Sequence, residues 1–437
     1  MNNKYIREFS YNPYDESRIT YRVSPHDRAI LRELAKRVRD ASQNPMYELR
    51  KKQWTAHNQL RSRRPLLLIF PEGSWRELLP VSVLQCTDEQ ARCIEWELRR
   101  RLFMHERIDD DSVLEGNWIV TKSITDSGWG LEPRRIMLDE KEKVGRKETG
   151  YRYEPLINVP SDLKKLRTPQ LFYDEKASRQ AYQDAGDLFG DILHVELRGT
   201  GALSFCYTPL YTKLRGLTRV MMDMYEEPAM LHDAMTFMEQ GYQKLVDQYL
   251  ELNLLSLNND STYHSSGGLG FTDELPQEGF NPDRVRLQDV WASAQSQEMA
   301  GVSPEMHYEF VMQYEMRSLR SFGLNGYGCC DDLTNKLPYV FQIPHLRRIS
   351  ISPWADVEKC AELIGDRYIF SWKPNPSYLA NDHFDETFVN EYIRRTLAAA
   401  QGCVLEIILK DTHTCRNQPE RFSAWAGIVR GLVDQLG

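Results

Sequence analysis

The sequence predicts an α/β protein, a (β/α)₈ TIM barrel, and two observations favour this fold class. Eight short apolar runs follow one another along the chain, and helical patterns separate most of them. A continuous apolar run of this length is typical of a parallel strand that is buried on both faces. Strand–helix alternation repeated eight times is the pattern of a (β/α)₈ barrel, and an open doubly wound sheet is the alternative.

The eight predicted strands are spread from residue 65 to residue 412. They lie at 65–73, 116–124, 191–199, 253–260, 322–330, 346–353, 366–376 and 403–412. The clearest helical patterns are 227–252 and 303–323, and the second opens with Ser303 as N-cap and Pro304 at the first helical position. No Gly-x-Gly-x-x-Gly motif follows a predicted strand, which disfavours a dinucleotide-binding doubly wound sheet.

The segments outside this alternation predict the domain organisation. Residues 1–60 are polar with a helical pattern, so we expect an N-terminal helical extension packed on a barrel that occupies residues 61–437. Two segments, near 126–184 and 261–288, interrupt the alternation. Loops of this length in compact domains are commonly lids or binding loops, so we expect both as insertions over the barrel mouth.

Composition excludes several classes of function. The chain has 437 residues, of which 41% are hydrophobic, so it can bury a large core. A formal net charge of −8 argues against nucleic-acid and anionic-membrane partners. No run approaches the roughly 18 consecutive apolar residues of a membrane span. The eight cysteines lack the spacing of a disulfide scaffold, and we therefore expect a soluble cytoplasmic protein.

Soft metal ligands follow two of the predicted strands. Cys329 and Cys330 end the fifth strand, and His413 and Cys415 follow the eighth. In a (β/α)₈ barrel the active site lies at the carboxyl ends of the strands, where side chains from separate strands can converge. Two thiolates and an imidazole with one open position form a catalytic zinc pattern. The alternative, ordinary buried thiols and a surface histidine, stays open because the spacing is long-range.

Further polar and aromatic residues fall near the same predicted rim. Glu196 alternates inward on the third strand if Val195 and Leu197 pack outward, and His264 lies on the predicted lid. Aromatic rings near the rim can stack on a ring-shaped substrate. The candidates for catalysis are Glu196, Asn259 and Asp260, and those for substrate binding are His264, Trp291, Tyr327 and Trp372.

Six short motifs give the chain a family resemblance. They are, in order, LRGLTRVMMDMYEEPAMLHDAMTFM, NLLSLNND, VWASAQSQEMAGVSPEMHYEFVMQYEMRSL, GYGCCDDL, WKPNP and QPERFSAW. As an ordered set they resemble the uroporphyrinogen decarboxylase superfamily over residues 215–425, and the first half of the chain resembles it only loosely. This superfamily contains decarboxylases of the porphyrin precursor and zinc-dependent methyltransferases that serve corrinoid proteins or thiols.

The resemblance favours the methyltransferase branch. The decarboxylases have an arginine-rich N-terminal motif, and here that region reads LLLIFPEGSWREL, with Arg76 alone. The methyltransferases have a His-x-Cys after a mid-barrel strand, where this chain has Tyr327, Gly328 and Cys329, followed by Cys330. A further cysteine lies near their eighth strand. The resemblance thus implies zinc bound by Cys330 or Cys329 together with His413 or Cys415, and we favour Cys330. Some relatives use carboxylate and histidine ligands, for which the candidates here are Glu196, Asp260 and Asp332.

The function that this resemblance implies is methyl transfer, as a component of an O-demethylase. A small donor, a methoxylated aromatic or a methylamine-like compound, would lose its methyl group to the cobalt of a corrinoid (cobalamin) protein partner. Zinc would act as the Lewis acid on the donor heteroatom. A second copy of the chain is a further candidate partner.

Two alternatives remain open. The first is a metal-free decarboxylase or lyase in which Asp260 or Glu196 is the acid/base and Lys373 or Arg198 binds the carboxylate. The second is a non-catalytic carrier or interaction protein.

Overall fold

The centre of the fold is a seven-stranded parallel sheet. The computed structural model describes residues 20–62, 64–137, 151–264 and 266–435, so residues 1–19 of the predicted extension and 138–150 of the first predicted insertion lie outside it. The strand order in the sheet is β1-β13-β12-β11-β10-β9-β8. The strands of the chain are β1 (Leu66–Ile69), β2 (Asn117–Thr121), β3 (Ser123–Asp126), β4 (Arg135–Met137), β5 (Tyr151–Tyr153), β6 (Leu171–Asp174), β7 (His194–Arg198), β8 (Ser204–Phe205), β9 (Trp291–Ala294), β10 (Leu324–Tyr327), β11 (Leu346–Ile351), β12 (Ile369–Trp372) and β13 (Val404–Leu409).

Helices and short helical turns connect and cover these strands. The α-helices are α1 (Pro25–Ser42), α2 (Pro45–Asn58), α3 (Trp75–Leu78), α4 (Glu89–Arg107), α5 (Glu175–Phe189), α6 (Thr208–Arg215), α7 (Leu217–Glu226), α8 (Pro228–Glu251), α9 (Pro304–His307), α10 (Gln313–Leu319), α11 (Leu337–Val340), α12 (Val357–Ile364), α13 (Ser377–Ala380), α14 (Glu386–Ala399) and α15 (Glu420–Asp434). A π-helical segment, Tyr308–Met312, joins α9 to α10, and a 3₁₀ turn, Glu72–Ser74, follows β1. Among the described residues, none of these helices has the length and apolar character needed to span a bilayer.

Seven of the eight predicted runs contain a strand, so the α/β prediction is confirmed at this level. The exception is 253–260, where the described pairing is an isolated bridge between Leu255 and Thr200. The strand β9 was not predicted, because its residues Trp-Ala-Ser-Ala include no aliphatic side chain larger than alanine. Among the described residues no ladder joins β1 to β8, so a closed eight-stranded barrel is not shown.

The free edge of β1 is covered by an acidic segment. The backbone N–H of Asp111 donates to the carbonyl of Leu67 at 2.7 Å, and the Asp111 carboxylate accepts the N–H of Leu67 at 2.7 Å. The Asp110 carboxylate accepts the N–H of Ile69 at 3.0 Å. Both carboxylates are buried. They take the place of a neighbouring strand as hydrogen-bond partners of the β1 backbone.

The two faces of the sheet differ in polarity. Register places Glu406, Ser371 and Ser350 side by side, and alternation adds Arg348 to the same face. The opposite face belongs to the main apolar core that packs against the helices. Its members on the strands include Tyr327, Ile349, Ile351, Phe370, Trp372, Leu405, Ile407 and Leu409.

Part of the predicted lid packs on the polar face of the sheet. A Cβ atom at Gly267 would overlap the Ser371 hydroxyl, and one at Gly268 would overlap the Arg348 guanidinium. Both glycines have a positive φ, 134° and 63°, which favours glycine there. From α2, the Asn58 side chain donates to the carbonyls of Leu269 and Phe271 at 2.8 and 2.7 Å. Gly267 and Gly268 therefore lie against the sheet, in a space that admits only backbone.

Candidate functional site

A cluster of ionisable side chains lies where β10 and β13 end. Cys329 and Cys330 follow β10, and their sulfur atoms are 3.4 Å apart. Lys410 follows β13, and its Nζ lies 3.8 Å from Cys329 Sγ. Asp411 Oδ2 is 3.7 Å from Cys330 Sγ and 3.6 Å from Lys410 Nζ. Both thiols are half-buried and Lys410 is buried, so this cluster joins two strand ends and is partly accessible to solvent.

Local backbone geometry places the two thiols. Gly328 has a φ of 88°, and a Cβ atom there would lie 2.6 Å from Leu333 Cδ1. The chain therefore turns sharply after Tyr327, at a position where other residues would be strained. The Ser350 hydroxyl donates to the carbonyl of Cys329 at 2.7 Å and ties the turn to β11.

The electrostatic environment separates the two thiols. The Cys330 thiol donates to Cys329 and lowers the pKa of Cys329 to about 7, and Lys410 contributes to this lowering against the effect of burial. The same hydrogen bond, together with burial, raises the pKa of Cys330 above its usual range. Burial opposes the charge of Lys410, yet the anions of Cys329 and Asp411 raise the pKa of its ammonium. Cys329 is thus the thiol that ionises near neutral pH, and Cys330 is its hydrogen-bond donor.

This assignment predicts a specific alkylation profile. The rate of Cys329 alkylation by iodoacetamide should rise with pH to half its maximum near pH 7, because the thiolate is the reactive form. Lys410→Met should move that midpoint to higher pH, because the neighbouring ammonium is lost. Lys359→Met is the matched control, since its ammonium donates to Asn335 at an exposed position. Peptide mass spectrometry measures the rate at each cysteine, and an unchanged midpoint in Lys410→Met would contradict the assignment.

The predicted zinc ligands do not converge. Cys415 is fully buried, and its backbone N–H and thiol both donate to Glu77 Oε2, at 2.9 and 3.1 Å. His413 is exposed. Within the part of the chain that the structure describes, no group of three or more His, Cys, Asp or Glu side chains is placed to hold a metal. The Cys₂His set expected from the sequence therefore does not fit this arrangement.

The predicted acids of the third and fourth runs form a separate group around one arginine. Arg198 donates to Glu196 Oε2 from Nε at 2.8 Å and forms an ion pair with Asp260. Asp260 also accepts the N–H of Thr262 at 2.9 Å. The Asn259 side chain donates to the carbonyl of Leu275 at 2.7 Å. The Arg198 guanidinium already pairs with both carboxylates. It is therefore not placed to bind the substrate carboxylate that the lyase alternative requires.

Lys373, the other carboxylate-binding candidate, is also engaged. Its Nζ donates to the carbonyl of Ser266 at 2.5 Å, and to the carbonyl and hydroxyl of Ser371 at 3.0 and 2.7 Å. Burial lowers the pKa of Lys373 to about 7. One hydrogen bond reaches residue 266 and two reach Ser371 on the sheet, so Lys373 ties the loop to the sheet.

The four residues predicted to bind substrate are buried framework residues. Trp372 and Tyr327 lie on the helix-covered face, where the Tyr327 hydroxyl donates to Glu315 at 2.9 Å. His264 packs on Trp291 with ring centroids 5.1 Å apart, and burial, with Arg348, lowers the pKa of His264 to about 3. None of these contacts is with the Cys329 cluster. The geometry therefore does not support a substrate-binding role for the four side chains.

Comparison with known proteins adds distant structural similarity. No model of a known protein family matches the chain, and no curated protein matches it. Among solved structures, the chain is similar to a methyltransferase from Methanosarcina mazei. The two share 10% sequence identity, the match covers 60% of this chain and 64% of that chain, and the TM-score is 0.34. The match therefore spans less than two thirds of that structure, and a similarity at this level assigns neither a family nor an activity.

The predicted site residues did not include Lys410 and Asp411 of the cluster, or Glu72 beside it. Lys410 directly follows β13, and Glu72 lies three residues after the end of β1. Glu72 is 6% exposed, and Asp411, Lys410 and Cys329 all contribute to its electrostatic environment. Their positions after the first and eighth predicted strands were the available signal, because polar residues at those ends converge when the sheet curls.

Proposed function

We propose that the protein is a methyltransferase that uses the Cys329 thiolate to move a methyl group from a small donor to a corrinoid protein. The geometry supports the nucleophile, and the sequence resemblance to the methyltransferase branch supports the group transferred and the corrinoid acceptor. Zinc has no part in this proposal, because the predicted ligand set does not fit the arrangement of the site.

The observation on which the proposal rests is the environment of Cys329. A sulfur that has a pKa near 7, beside the Lys410 ammonium and the Cys330 thiol, is an ionised nucleophile at neutral pH. The same two neighbours stabilise the thiolate when it leaves. A methyl carrier needs both properties, because it first accepts the methyl group and then releases it.

The reaction has two displacement steps. The Cys329 sulfur attacks the methyl carbon of the donor, the bond from carbon to the donor heteroatom breaks, and its electron pair leaves with the heteroatom. The reduced corrinoid of the partner then displaces the sulfur from the methyl group, and the electron pair of that bond returns to Cys329 as a thiolate. Aligning donor and acceptor at the same sulfur is the main contribution of the protein.

An exposed aromatic side chain supports a methoxylated aromatic donor over a methylamine-like one. Trp354 follows β11, at the same end of the sheet as the cluster, and is 69% exposed. An indole in this position can stack on the ring of a donor. We place this reaction in the cytoplasm, as the composition predicts.

We also propose that the sheet belongs to a (β/α)₈-type barrel. Lys410 contacts Cys329 although β11 and β12 separate their strands, and that contact requires strong curvature. The chain runs from Asp111, beside β1, into β2, which pairs with β7. The Leu255–Thr200 bridge extends this circuit. A crystal structure with a flat sheet at these contacts would contradict the barrel.

A donor screen with trapping of the intermediate tests the function. Wild-type protein incubated with methoxyarenes and no acceptor should gain the mass of one CH₂ on the peptide that contains Cys329. Addition of a reduced corrinoid protein should remove that mass and change the corrinoid absorbance to that of the methylated form. If no donor in either class methylates the protein or changes the corrinoid spectrum, the proposal is wrong.

A further inference from the structure

We propose that Glu72 is the catalytic proton donor to the leaving group of the methyl donor, an inference that rests on the function proposed above. A methoxyarene releases a phenolate, a poor leaving group, and a positioned acid is the means by which a protein facilitates its departure. Lys410 lies in the same cluster, but its ammonium stabilises the Cys329 thiolate.

The backbone places Glu72 beside the cluster. The N–H and hydroxyl of Ser74 both donate to the carbonyl of Thr412, each at 3.1 Å. A Cβ atom at Gly73 would lie 3.1 Å from His413 Cα. The 3₁₀ turn Glu72–Ser74 is therefore packed against the segment that follows β13. Lys410 and Asp411 belong to the start of that segment.

The conformation of Glu72 is unusual for its residue type. Its φ is 43°, in the left-handed region that a glutamate rarely adopts. Asp411, on the other side of the contact, also has a positive φ, 59°. Strained residues of this kind are concentrated at functional sites, where the surrounding structure holds them in place.

One oxygen of the buried Glu72 carboxyl group is available to a ligand. The backbone N–H of Asp411 faces this carboxyl group and lowers its pKa against the effect of burial. The carboxyl oxygen Oε1 is buried and has no hydrogen-bond partner among the residues that the structure describes. A buried carboxyl group with an unpartnered oxygen is favoured in its protonated form, and that O–H is available to a ligand.

The charges around Glu72 favour the same protonation state. Burial raises the pKa of Glu72 to about 8, the anions of Asp411 and Cys329 add to this effect, and Lys410 opposes it. The neighbouring thiol is shifted in the other direction, with the pKa of Cys329 lowered to about 7. A protonated acid beside an ionised nucleophile can supply the acid and nucleophile roles of one site.

In the proposed step, the Cys329 sulfur forms its bond to the methyl carbon while the bond from that carbon to the donor oxygen breaks. The electron pair of the broken bond stays on the oxygen, which takes the proton of Glu72 and leaves as a neutral phenol. Glu72 is left as a carboxylate and regains its proton from solvent before the next turnover.

The test compares donors whose leaving groups differ in acidity. The rate of Cys329 methylation is measured for a series of methoxyarenes, from one that releases a weakly acidic phenol to one that releases a strongly acidic nitrophenol. Glu72→Gln should slow the first by about 10²–10⁴-fold. It should hardly slow the last, because a nitrophenolate leaves without a proton. The dependence of the rate on leaving-group acidity should therefore steepen, and Glu72→Asp, which retains an acid, should restore part of the rate.

Glu77→Gln is the matched control. Glu77 is a nearby carboxylate whose bonds to Cys415 and Asn417 are structural. This variant should keep the leaving-group dependence of the wild type. If Glu72→Gln slows all donors equally, only the proposed role of Glu72 is overturned, and the proposed function stands. If the wild type is methylated by no donor, the proposed function and this inference are both overturned.

Discussion

We expect Cys329→Ser to lower the rate of the proposed methyl transfer about 10³-fold or more. A serine hydroxyl is not ionised at neutral pH, so the Lys410 ammonium would have no thiolate to stabilise. The rate is measured with the best donor of the screen and a reduced corrinoid protein, and circular dichroism checks that the variant is folded.

Cys330→Ser is the matched control for this change. A serine can still donate a hydrogen bond to Cys329, so the rate should fall by less than about 10-fold, the effect of a modestly weaker hydrogen bond. The sequence resemblance favoured Cys330 as the functional thiol, whereas the geometry favours Cys329. The opposite ranking of the two variants would return the role to Cys330 and contradict the assignment made from the pKa of each thiol.

The second large effect is on stability. Arg348→Met should lower the free energy of unfolding by about 3–5 kcal/mol, because it leaves a buried carboxylate without its main partner. Arg348 and Glu406 are both fully buried, and Arg348 Nε lies 3.0 Å from Glu406 Oε1. His57 Nε2 is 3.3 Å from Glu406 Oε2 but is buried, and burial lowers the pKa of its imidazole, so His57 does not replace the lost charge. Urea unfolding monitored by circular dichroism measures the change.

Two further variants isolate the cause. Arg317→Met removes a partly exposed ion pair with Glu239, and should cost less than about 1 kcal/mol. The double variant Arg348→Met/Glu406→Leu should recover most of the loss, since no unpaired charge remains. If Arg348→Met costs no more than Arg317→Met, the buried pair has no special role in stability.

The same pair gives the stability a defined pH dependence. Burial opposes the charge of Glu406, but Arg348 and then His57 outweigh it and lower its pKa to about 2, from the usual value of 4.5. The stabilising contribution is therefore present above pH 4.5 and is lost as the pH falls toward 2.

Most of the fold could be predicted because its signals are local. Apolar runs and their helical connections depend only on neighbouring residues, and the end of β10 was correctly recognised as a strand end with two thiols. The strand β9 was not recognised because it has no aliphatic side chain larger than alanine. The sequence does not show which face of the sheet each side chain occupies. Tyr327 and Trp372 were therefore expected at the site, although they pack under the helices.

The composition of the site could be predicted only in part, because convergence depends on the conformation of turns. Cys415 lies only five residues after Lys410, yet the turn between them directs its thiol to Glu77. The positive φ of Glu72 and of Asp411 has no signature in the residue types themselves. Glutamate seldom adopts this conformation, and aspartate, which adopts it more readily, does so at only a small fraction of its positions.

The two glycines that pack on the polar face determine how deep a substrate can lie. At Gly267 the neighbouring Ser371 leaves no space even for a methyl group, so the centre of the sheet is occupied by the protein's own backbone. In the proposed reaction, the donor would therefore bind near the ends of the strands, close to solvent. A shallow position of this kind keeps the transferred group within reach of a second macromolecule. A substrate enclosed in the centre of the sheet would be out of its reach.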